Sequence, residues 1–369
     1  MQQSKVFFVS TKDGENAKQI NNKLAKLIAS CKPFLKIKKD KLVAIKLHFG
    51  EEENTGFVNP DFVKTIVGEI KKQSAWVFLT DTNALYKGSR TNTIDHLGLA
   101  YRHGFTPDKV GAPVIIADGV KSDEDQEVKI NGDLIKTAYV ATAISKSDVI
   151  VAISHFKGHI MTGFGGAIKN LGMGCASRRG KLTQHGGIAP VVRAEKCVAC
   201  SACIENCPVD AIKYVDPDVS GVRVGAGKKA KISPKICIGC AGCIAICPVG
   251  AIDVAWAMGA DTIQQKIAEY AKATVSGKED SQIYFNFCIK ITKECDCLAK
   301  DDPKICPDIG IFVSLDPVSI DQACVDKING VSGGDIFRQQ HPDRDWRKQL
   351  EHAEKIGLGN RAYELIEVR

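Results

Sequence analysis

The sequence predicts an α/β protein, with a mostly parallel sheet and helices on both faces, that is interrupted by a cysteine-rich insert. Short apolar runs alternate with segments of helical spacing over the first 155 residues, which is typical of a parallel sheet with crossover helices. The alternation stops near Ala194 and resumes after Val254. We therefore expect a first α/β part (1–190), an insert (191–255) and a second α/β part (256–369).

The predicted strands are four to six residues long and rich in Val, Ile and Phe, as strands covered on both faces should be. They are Val6–Val9, Leu42–Leu47, Ala75–Leu79, Val114–Ala117, Val149–Ile153, Ile283–Phe287 and Ile309–Ser314. Helical spacing of apolar residues marks the segments between and after them. The predicted helices are Ala17–Ala29, Asp61–Lys72, Thr93–Arg102, Ile135–Lys146, Asp261–Thr274, Ser319–Lys327 and Asp345–Ile356.

The composition is that of an ordinary globular protein, with 44% hydrophobic and 25% charged residues. A net charge of +7 over 369 residues lacks the dense basic stripe of a nucleic-acid binder, so we expect no nucleic-acid partner. The apolar run at the N-terminus is too short for a signal peptide, and the uncharged run Ile236–Ile252 is broken by a proline and glycines, so we expect no membrane span. We expect a cytoplasmic protein, in which clustered cysteines indicate metal binding or catalysis rather than disulfides.

The insert contains one internal repeat. The run Cys-x2-Cys-x2-Cys-x3-Cys-Pro begins at Cys197 and again at Cys237, which is the spacing of bacterial ferredoxins with two [4Fe–4S] clusters. In that arrangement the fourth cysteine of each run binds the other cluster. One cluster is therefore expected on Cys197, Cys200, Cys203 and Cys247, and the other on Cys237, Cys240, Cys243 and Cys207. Structural zinc is the alternative, but zinc sites usually use paired Cys-x2-Cys turns.

A second group of cysteines follows the insert. It comprises Cys288, Cys295, Cys297 and Cys306. This group could form a third metal site, with zinc or iron–sulfur, or it could be a set of buried thiols or a redox-active pair. The isolated Cys31, Cys175 and Cys324 are expected to be buried as small hydrophobic residues.

Polar side chains follow three of the predicted strands. Ligands of open parallel sheets bind beyond the carboxyl ends of the strands, so we expect an active site there. The candidate catalytic residues are Lys46, His48, Asp81, Arg90, His155, His159, Lys169 and His185, and the candidate cofactor-binding residues are Gly163, Gly165, Gly166 and Asn170. Each has a structural alternative: Lys46 could reach the surface, Asp81 could cap the next segment, and the glycines could only permit tight turns.

The residues quoted so far resemble those of the DUF362 iron–sulfur proteins, a family without an assigned activity, over nearly the whole chain. The resemblance is carried by Val43–Gly50, Asp81–Asn83 with Tyr86 and Arg90, Gly163–Gly174, Cys295–Cys297, Pro307–Ile311 and Asp316–Ala323. More distantly, the spacing of His159, Lys169 and His185 is similar to that of the nickel-pincer nucleotide site of lactate racemase. That resemblance implies Lys169 as the tether of the cofactor, His185 as a nickel ligand and His159 as an acid–base residue.

These observations favour a redox enzyme that passes electrons through two clusters to a substrate or second cofactor at the strand ends. His159 and His185 would move protons or bind a metal there. Lys46, Lys169 and Arg90 would hold an anionic group. The expected partners are a ferredoxin- or flavodoxin-like protein or a small anionic substrate, and the oligomeric state stays open. The alternatives are a non-enzymatic electron carrier and a nickel-pincer isomerase with accessory clusters.

Overall fold

The computed structural model describes residues 3–31, 37–73, 75–186, 189–215, 227–254, 259–278 and 281–369. The strands in these ranges are β1 (Ser4–Ser10), β2 (Leu42–Lys46), β3 (Trp76–Asp81), β4 (Val114–Ile116), β5 (Asp125–Lys129), β6 (Thr137–Ala141), β7 (Val149–His155), β8 (Lys157–His159), β9 (Gly163–Gly165), β10 (Val191–Val192), β11 (Ile212–Val215), β12 (Lys229–Ile232), β13 (Ile252–Asp253), β14 (Gln282–Cys288), β15 (Gly310–Ser314) and β16 (Tyr363–Glu367).

The helices in the same ranges differ widely in length. They are α1 (Ala17–Cys31), α2 (Pro60–Lys71), α3 (Thr93–Arg102), α4 (Pro107–Val110), α5 (Thr142–Ser145), α6 (Ala167–Gly172), α7 (Arg178–His185), α8 (Ala202–Glu205), α9 (Gly242–Ile246), α10 (Ala260–Val275), α11 (Pro317–Ser332), α12 (Ile336–Gln340) and α13 (Arg347–Lys355). None of these described helices is both long and apolar enough to cross a membrane.

The central sheet has eight strands in the order β16-β1-β15-β14-β7-β2-β3-β4. Only β15 runs antiparallel to its neighbours, so the predicted mixed α/β fold with a mostly parallel sheet is confirmed. Lys46, the last residue of β2, lies beside Thr80 of β3 and Ala152 of β7. Because these three strands are parallel and adjacent, the loops that follow them leave the sheet at one edge.

Helices cover both faces of the sheet, because neighbouring strand residues point to opposite sides. Phe8 packs with Phe312 in the core beneath α6, α10, α11 and α13, whereas Phe7 lies in the core beneath α1 and α2. The strands of the centre are buried along their whole length, as in β7. The apolar runs of the sequence reflect this two-sided burial.

The helix predicted over Ile135–Lys146 is wrong. This segment forms β6, which pairs antiparallel with β5, and only the short α5 follows. The sequence of β6, Thr-Ala-Tyr-Val-Ala, alternates half-buried and buried residues, and its β-branched and aromatic side chains favour a strand. Its partner β5 is polar and mostly exposed, so it lacked the apolar pattern that marks a strand. The other predicted strands and helices are present, with ends shifted by a few residues.

The cysteine-rich segment forms two small antiparallel sheets, β10 with β13 and β11 with β12, and the short helices α8 and α9. It has a separate apolar core that includes Ile212, Ile232, Ile244 and Ile252. This arrangement is compatible with a ferredoxin-like insertion. The predicted end of the insert at residue 255 falls on residues 255–258, which lie outside the described residues. The proposed domain boundaries stay predictions.

Candidate functional site

A buried ion pair lies at the ends of β2 and β3. Lys46 is 1% exposed, and its Nζ atom lies 2.9 Å from Asp81 Oδ1 and 2.7 Å from Asn170 Oδ1. His48 Nδ1 lies 3.1 Å from Asp81 Oδ2. Burial alone would raise the pKa of Asp81, but the charge of Lys46 and the hydrogen bond from His48 outweigh it and hold this pKa well below its usual value. The sequence-predicted residues Lys46, His48, Asp81 and Asn170 are thus in one network.

The histidines beside this pair are neutral. Burial and the charge of Arg90 lower the pKa of His48 to about 4, and burial lowers the pKa of His96 to about 3 although Asp81 opposes this. The Nε2 atom of His48 is buried and has no hydrogen-bond partner in the described part of the chain. A neutral imidazole with an unused nitrogen can accept a proton or bind a ligand.

Arg90 is held within a second network. Its Nε atom lies 3.0 Å from Glu51 Oε2, and its Nη2 atom donates to Tyr86 Oη at 2.9 Å. Tyr86 Oη in turn donates to the carbonyl of Cys297 at 2.7 Å. The guanidinium charge is therefore balanced by Glu51, and the network ties the loop after β3 to the Cys295–Cys297 loop.

His155 and Lys157 anchor Asp296, which lies between two cysteines of the second group. His155 Nδ1 lies 2.9 Å from Asp296 Oδ1, and Lys157 Nζ lies 3.0 Å from Asp296 Oδ2. Burial alone would raise the pKa of Asp296, but the charges of His155 and Lys157 outweigh it and lower this pKa far below its usual value. His155 Nε2 faces the carbonyls of Ile289 and Lys290 at 2.9 and 3.1 Å. Both ring nitrogens of His155 are thus occupied, and its position is that of a structural anchor.

Lys169 differs from the other lysines at this edge because its amine has no hydrogen bond or ion pair with any described residue. Burial lowers the pKa of Lys169 to about 7, and the positive charge of Lys157 adds to this effect while Asp296 opposes it. Burial and the charge of Lys169 also lower the pKa of His159 well below its usual value and that of His185 to about 4. The three residues are therefore electrostatic neighbours, as their grouping in the sequence predicted.

The glycine-rich turn before Lys169 allows close packing. A Cβ atom on Gly166 would lie 2.3 Å from Asp321 Oδ1, and Gly163 has a φ of +74° with Trp346 close by. Asp321 accepts hydrogen bonds from the backbone N–H groups of Ala167 and Ile168 at 2.7 and 2.9 Å, at the start of α6. Burial raises the pKa of Asp321 to about 6. Backbone conformation and close packing therefore explain why glycine occupies positions 163 and 166. Cofactor binding by Gly163, Gly165, Gly166 and Asn170 stays a prediction.

The structure separates the four cysteines of the second group into two pairs. Cys295 and Cys297 form a disulfide, and their sulfur atoms and a ring nitrogen of His159 all lie within 4.8 Å of one another. Cys288 and Cys306 lie in the apolar core beneath α6, α10, α11 and α13. Burial and the nearby Cys288 raise the pKa of Cys306 to about 12. The four residues do not form one site.

The eight cysteines of the repeat lie around two cavities. The first cavity is lined by Cys197, Cys200, Cys203 and Cys247, and the second by Cys207, Cys237, Cys240 and Cys243. None of these eight described cysteines is in a disulfide. These are the two sets that the spacing predicted.

The comparisons with known proteins identify the family. A family model described as a domain of unknown function, DUF362, matches residues 43–326. The chain belongs to the DUF362 family. No curated protein matches it.

Two solved structures are similar to the DUF362 chain at low identity. The lactate racemase apoprotein from Thermoanaerobacterium thermosaccharolyticum has 14% identity and a TM-score of 0.41, over 77% of this chain and 50% of that chain. A crystal structure of a Thermotoga maritima protein has 11% identity and a TM-score of 0.39, over 94% of this chain and 60% of that chain. The chain thus spans half to three fifths of the length of these proteins.

Helix α7 joins the two regions of the DUF362 chain. Its Leu182 lies in the apolar core of the cysteine-rich segment together with Leu85 and Cys203. Its Lys181 donates hydrogen bonds to Thr82 Oγ1 and to the carbonyl of Ala176, at the strand-end edge. His185, at the end of the same helix, is the electrostatic neighbour of Lys169. One helix thus contacts both the apolar core around the thiol-lined cavities and the strand-end edge.

The candidate residues selected from the sequence leave out several residues of this site. Glu51 balances Arg90, His96 borders Asp81, and Asp296 fixes the cysteine loop. Glu51 lies in the loop after β2 beside the residues that were selected, so its position was a usable signal. The pairing of His159 with Cys295 was not predictable, because these residues are distant in sequence and meet only through the topology of the sheet.

Proposed function

We propose that this DUF362 protein is an iron–sulfur oxidoreductase that holds two [4Fe–4S] clusters and transfers electrons to an anionic substrate or second cofactor near Lys169. The observation that carries the proposal is the pair of cavities, each lined by four cysteines that form no disulfide, whose apolar core includes Leu182 of α7. Cys197, Cys200, Cys203 and Cys247 would hold one cluster, and Cys207, Cys237, Cys240 and Cys243 the other. When bound, such clusters accept and donate single electrons.

The thiols fit clusters better than single metal ions. No three of the eight have their sulfur atoms within 4.8 Å of one another, whereas the ligands of one ion must approach more closely. Burial and then the thiols of Cys240 and Cys237 raise the pKa of Cys243 to about 12, and Cys203 of the other set adds to this effect. Iron bound to these sulfurs would stabilise the thiolate forms that burial disfavours.

The two halves of the repeat have the same backbone shape. Left-handed φ values occur at Ala199 and Ser201 in the first run, and at the matching Gly239 and Ala241 in the second. Backbone N–H groups also donate to the fourth sulfur of each run, at 3.2 Å to Cys207 and 3.1 Å to Cys247. Hydrogen bonds of this kind favour thiolate and tune the potential of a bound cluster. Three of these four residues are not glycine, and non-glycine residues in the left-handed region carry backbone strain of the kind that is concentrated at functional sites.

An apolar rim surrounds the thiol-lined cavities. Val198 and Val249 line the first cavity and Ile238 the second, and each of these side chains is exposed. Exposed apolar residues grouped in one place mark contact surfaces for proteins. We propose that a ferredoxin- or flavodoxin-like redox partner docks on this rim.

The charges at the strand-end edge favour an anionic ligand. Lys46 is paired with Asp81, and Lys157 with Asp296, whereas Lys169 is not balanced by a described acid. With a pKa of about 7, Lys169 can bind a carboxylate or phosphate as a cation, or give and take a proton near neutral pH. His159 and His185, whose pKa values are lowered by burial and by the charge of Lys169, are neutral and can serve as hydrogen-bond partners of a bound ligand.

Elemental analysis and electron paramagnetic resonance test the clusters. Protein purified without oxygen is expected to contain about eight irons per chain and to give the spectrum of two interacting clusters after reduction with dithionite. Cys203→Ser is expected to lose about half of the iron, while Cys31→Ser, which removes a buried thiol far along the chain, keeps it all. Zinc in place of iron, or iron unaffected by Cys203→Ser, would refute the proposal.

A second experiment separates the enzyme from a plain carrier. Lys169→Met and His159→Gln are made in the cluster-loaded protein, and reduction of the clusters by a redox partner is compared with binding of small carboxylates and phosphates. The enzyme proposal expects unchanged cluster reduction and lost anion binding. If no anion binds the wild type, the carrier is favoured. A covalent mass adduct on the Lys169 peptide would instead favour the pincer isomerase.

A further inference from the structure

We infer that His159, Cys295 and Cys297 form a separate binding site for one thiophilic divalent metal ion, which is complete only when the two cysteines are reduced. The two sulfur atoms and a ring nitrogen of His159 lie within 4.8 Å of one another, so one ion can contact all three. Two thiolates and one imidazole select zinc-like ions over calcium or magnesium. None of these residues belongs to the eight-cysteine repeat, so the inference does not depend on the proposed clusters.

The loop that carries the two cysteines is fixed from inside the protein. Asp296, between them, is almost fully buried and is held by His155 and Lys157 at 2.9 and 3.0 Å. The Cα atoms of the two cysteines are 5.3 Å apart. Because Asp296 is directed into the core, its two neighbours are held as a pair on the side of His159. Burying a carboxylate beside an ammonium group and an imidazole costs desolvation free energy, which here serves to fix the position of this loop.

The loop is also held from the outer side. The carbonyl of Cys297 accepts a hydrogen bond from Tyr86 Oη at 2.7 Å, and Arg90 stabilises Tyr86 through a hydrogen bond at 2.9 Å. The loop after β3 and the end of β7 thus fix the same three residues, 295–297. Metal sites gain affinity when their ligands are positioned before the ion binds.

The ring of His159 has a suitable second partner. Thr162 Oγ1 lies 2.9 Å from His159 Nδ1 and 2.6 Å from the carbonyl of Phe164, to which it can donate. With Nδ1–H donating to Thr162, the Nε2 lone pair is available for a metal, as in other histidine ligands whose second nitrogen is hydrogen-bonded. In this structure the backbone N–H groups of Met161 and Thr162 donate to Nδ1 at 3.2 Å, so the neutral ring carries its proton on Nε2, and an ion at Nε2 requires that proton to move to Nδ1.

Three protein ligands leave a fourth position for a small molecule, as in catalytic rather than structural zinc sites. Lys169 is an electrostatic neighbour of His159, and no acid among the described residues forms an ion pair with its amine. An oxygen of an anionic small molecule, such as a carboxylate, could therefore contact both the ion and Lys169. The fourth ligand of the ion would therefore be a carboxylate or a water molecule.

In the Cys295–Cys297 disulfide neither sulfur is a thiolate, so the oxidised pair does not hold the ion. Reaction of the two metal-bound thiolates with a small disulfide would transfer two electrons to the reagent. The Cys295–Cys297 bond forms, two small thiolates are released, and the ion leaves because only His159 remains as a ligand. Metal binding is thereby linked to the redox state of the pair.

Zinc loading of the intact protein tests the site. Protein purified without oxygen is reduced with a phosphine, incubated with zinc and freed of excess metal, and its zinc and iron are measured. We expect one zinc per chain, with X-ray absorption showing about two sulfurs near 2.3 Å and a nitrogen near 2.0 Å. Cys297→Ser and His159→Gln are expected to lower the zinc content at least about fivefold with unchanged iron. Cys288→Ser and Cys306→Ser, which alter the other pair, are the matched controls and should keep the zinc.

Several outcomes overturn the inference. The inference is wrong if the wild-type protein, with Cys295 and Cys297 reduced, retains no zinc. This result does not depend on how the variants fold. Zinc with four sulfurs, retained in His159→Gln, would mean that the ion occupies the repeat. Zinc that stays bound after oxidised glutathione has formed the Cys295–Cys297 disulfide, as checked by peptide mass, would contradict the redox link. Iron content judges the proposed clusters separately in every sample.

Discussion

Replacing Lys46 by methionine would leave the carboxylate of Asp81 buried without its main partner. The pair is separated by 2.9 Å and its side chains are 1% and 5% exposed. Breaking a buried ion pair by removing one partner costs about 3–5 kcal/mol, because the remaining charge is not compensated. We therefore expect Lys46→Met to lower the free energy of unfolding by about this amount at neutral pH. Removal of both charges in Lys46→Met/Asp81→Asn should cost less than the single substitution.

The loss should depend on pH. In the wild type, the lowered pKa of Asp81 adds stability above its usual value of 3.8, and this stability is lost only as the pH falls below that value. Without Lys46, burial is the largest influence on Asp81, so its pKa rises and the ionised form costs stability at neutral pH. Protonation relieves that cost as the pH falls through the raised pKa. The difference between the variant and the wild type should therefore narrow on acidification.

Urea unfolding from pH 8 to pH 5, without oxygen, measures this difference. Lys41→Met is the matched control, because Lys41 lies 3.0 Å from Asp148 in a pair whose side chains are 41% and 40% exposed. Exposed pairs are worth below about 1 kcal/mol, so the control should change little at any pH. The buried-charge argument is wrong if Lys46→Met lowers the free energy of unfolding no more than Lys41→Met does. It is also wrong if the loss in Lys46→Met is the same at pH 5 and at pH 8.

Two further predictions concern the glycine-rich turn before α6 and Lys169, which lies on α6. Gly166→Ala places a Cβ atom 2.3 Å from Asp321 Oδ1 and should destabilise the protein by about 1–3 kcal/mol in urea unfolding. Gly330→Ala, in open space on α11, is the control and should stabilise by up to about 1 kcal/mol, so equal effects would contradict the packing argument. Burial lowers the pKa of Lys169 to about 7, so its amine should react with limiting acetic anhydride near pH 7.5. Lys355 should react much more slowly, because its hydrogen bond to a carboxylate raises its pKa. Equal labelling of the two lysines would show that Lys169 is an ordinary cation.

The sequence predicts most of the sheet because its strands are buried on both faces. Runs such as Val149–Ile153 are apolar at every position, and this pattern does not depend on distant residues. The hairpin of β5 and β6 was missed for the opposite reason, since Asp125–Lys129 is polar and its strand character arises from pairing with a neighbour. The short α6 was missed because its start is capped by Asp321, more than 150 residues away in sequence.

The candidate site was predictable where it follows from sheet topology. The carboxyl ends of adjacent parallel strands meet at one edge, so Lys46, His48 and Asp81 were expected together and do contact one another. The repeat was predictable from spacing alone. The roles within the edge were not predictable, because they depend on which charge is balanced: Arg90 is neutralised by Glu51 and Lys169 is not neutralised by a described residue. Such pairings require coordinates.

The position of β1 in the sheet has a consequence for how the chain is made. This strand pairs only with β15 and β16, and Ser4 donates a hydrogen bond to Asp316, 312 residues later. A ribosome therefore releases the two thiol runs long before the strands that complete the sheet, and the contacts with the largest sequence separation close last. Folding of the cysteine-rich segment can precede assembly of the α/β body. Defects in the final strands would then leave a folded cysteine-rich segment beside an open sheet edge, which is prone to aggregation.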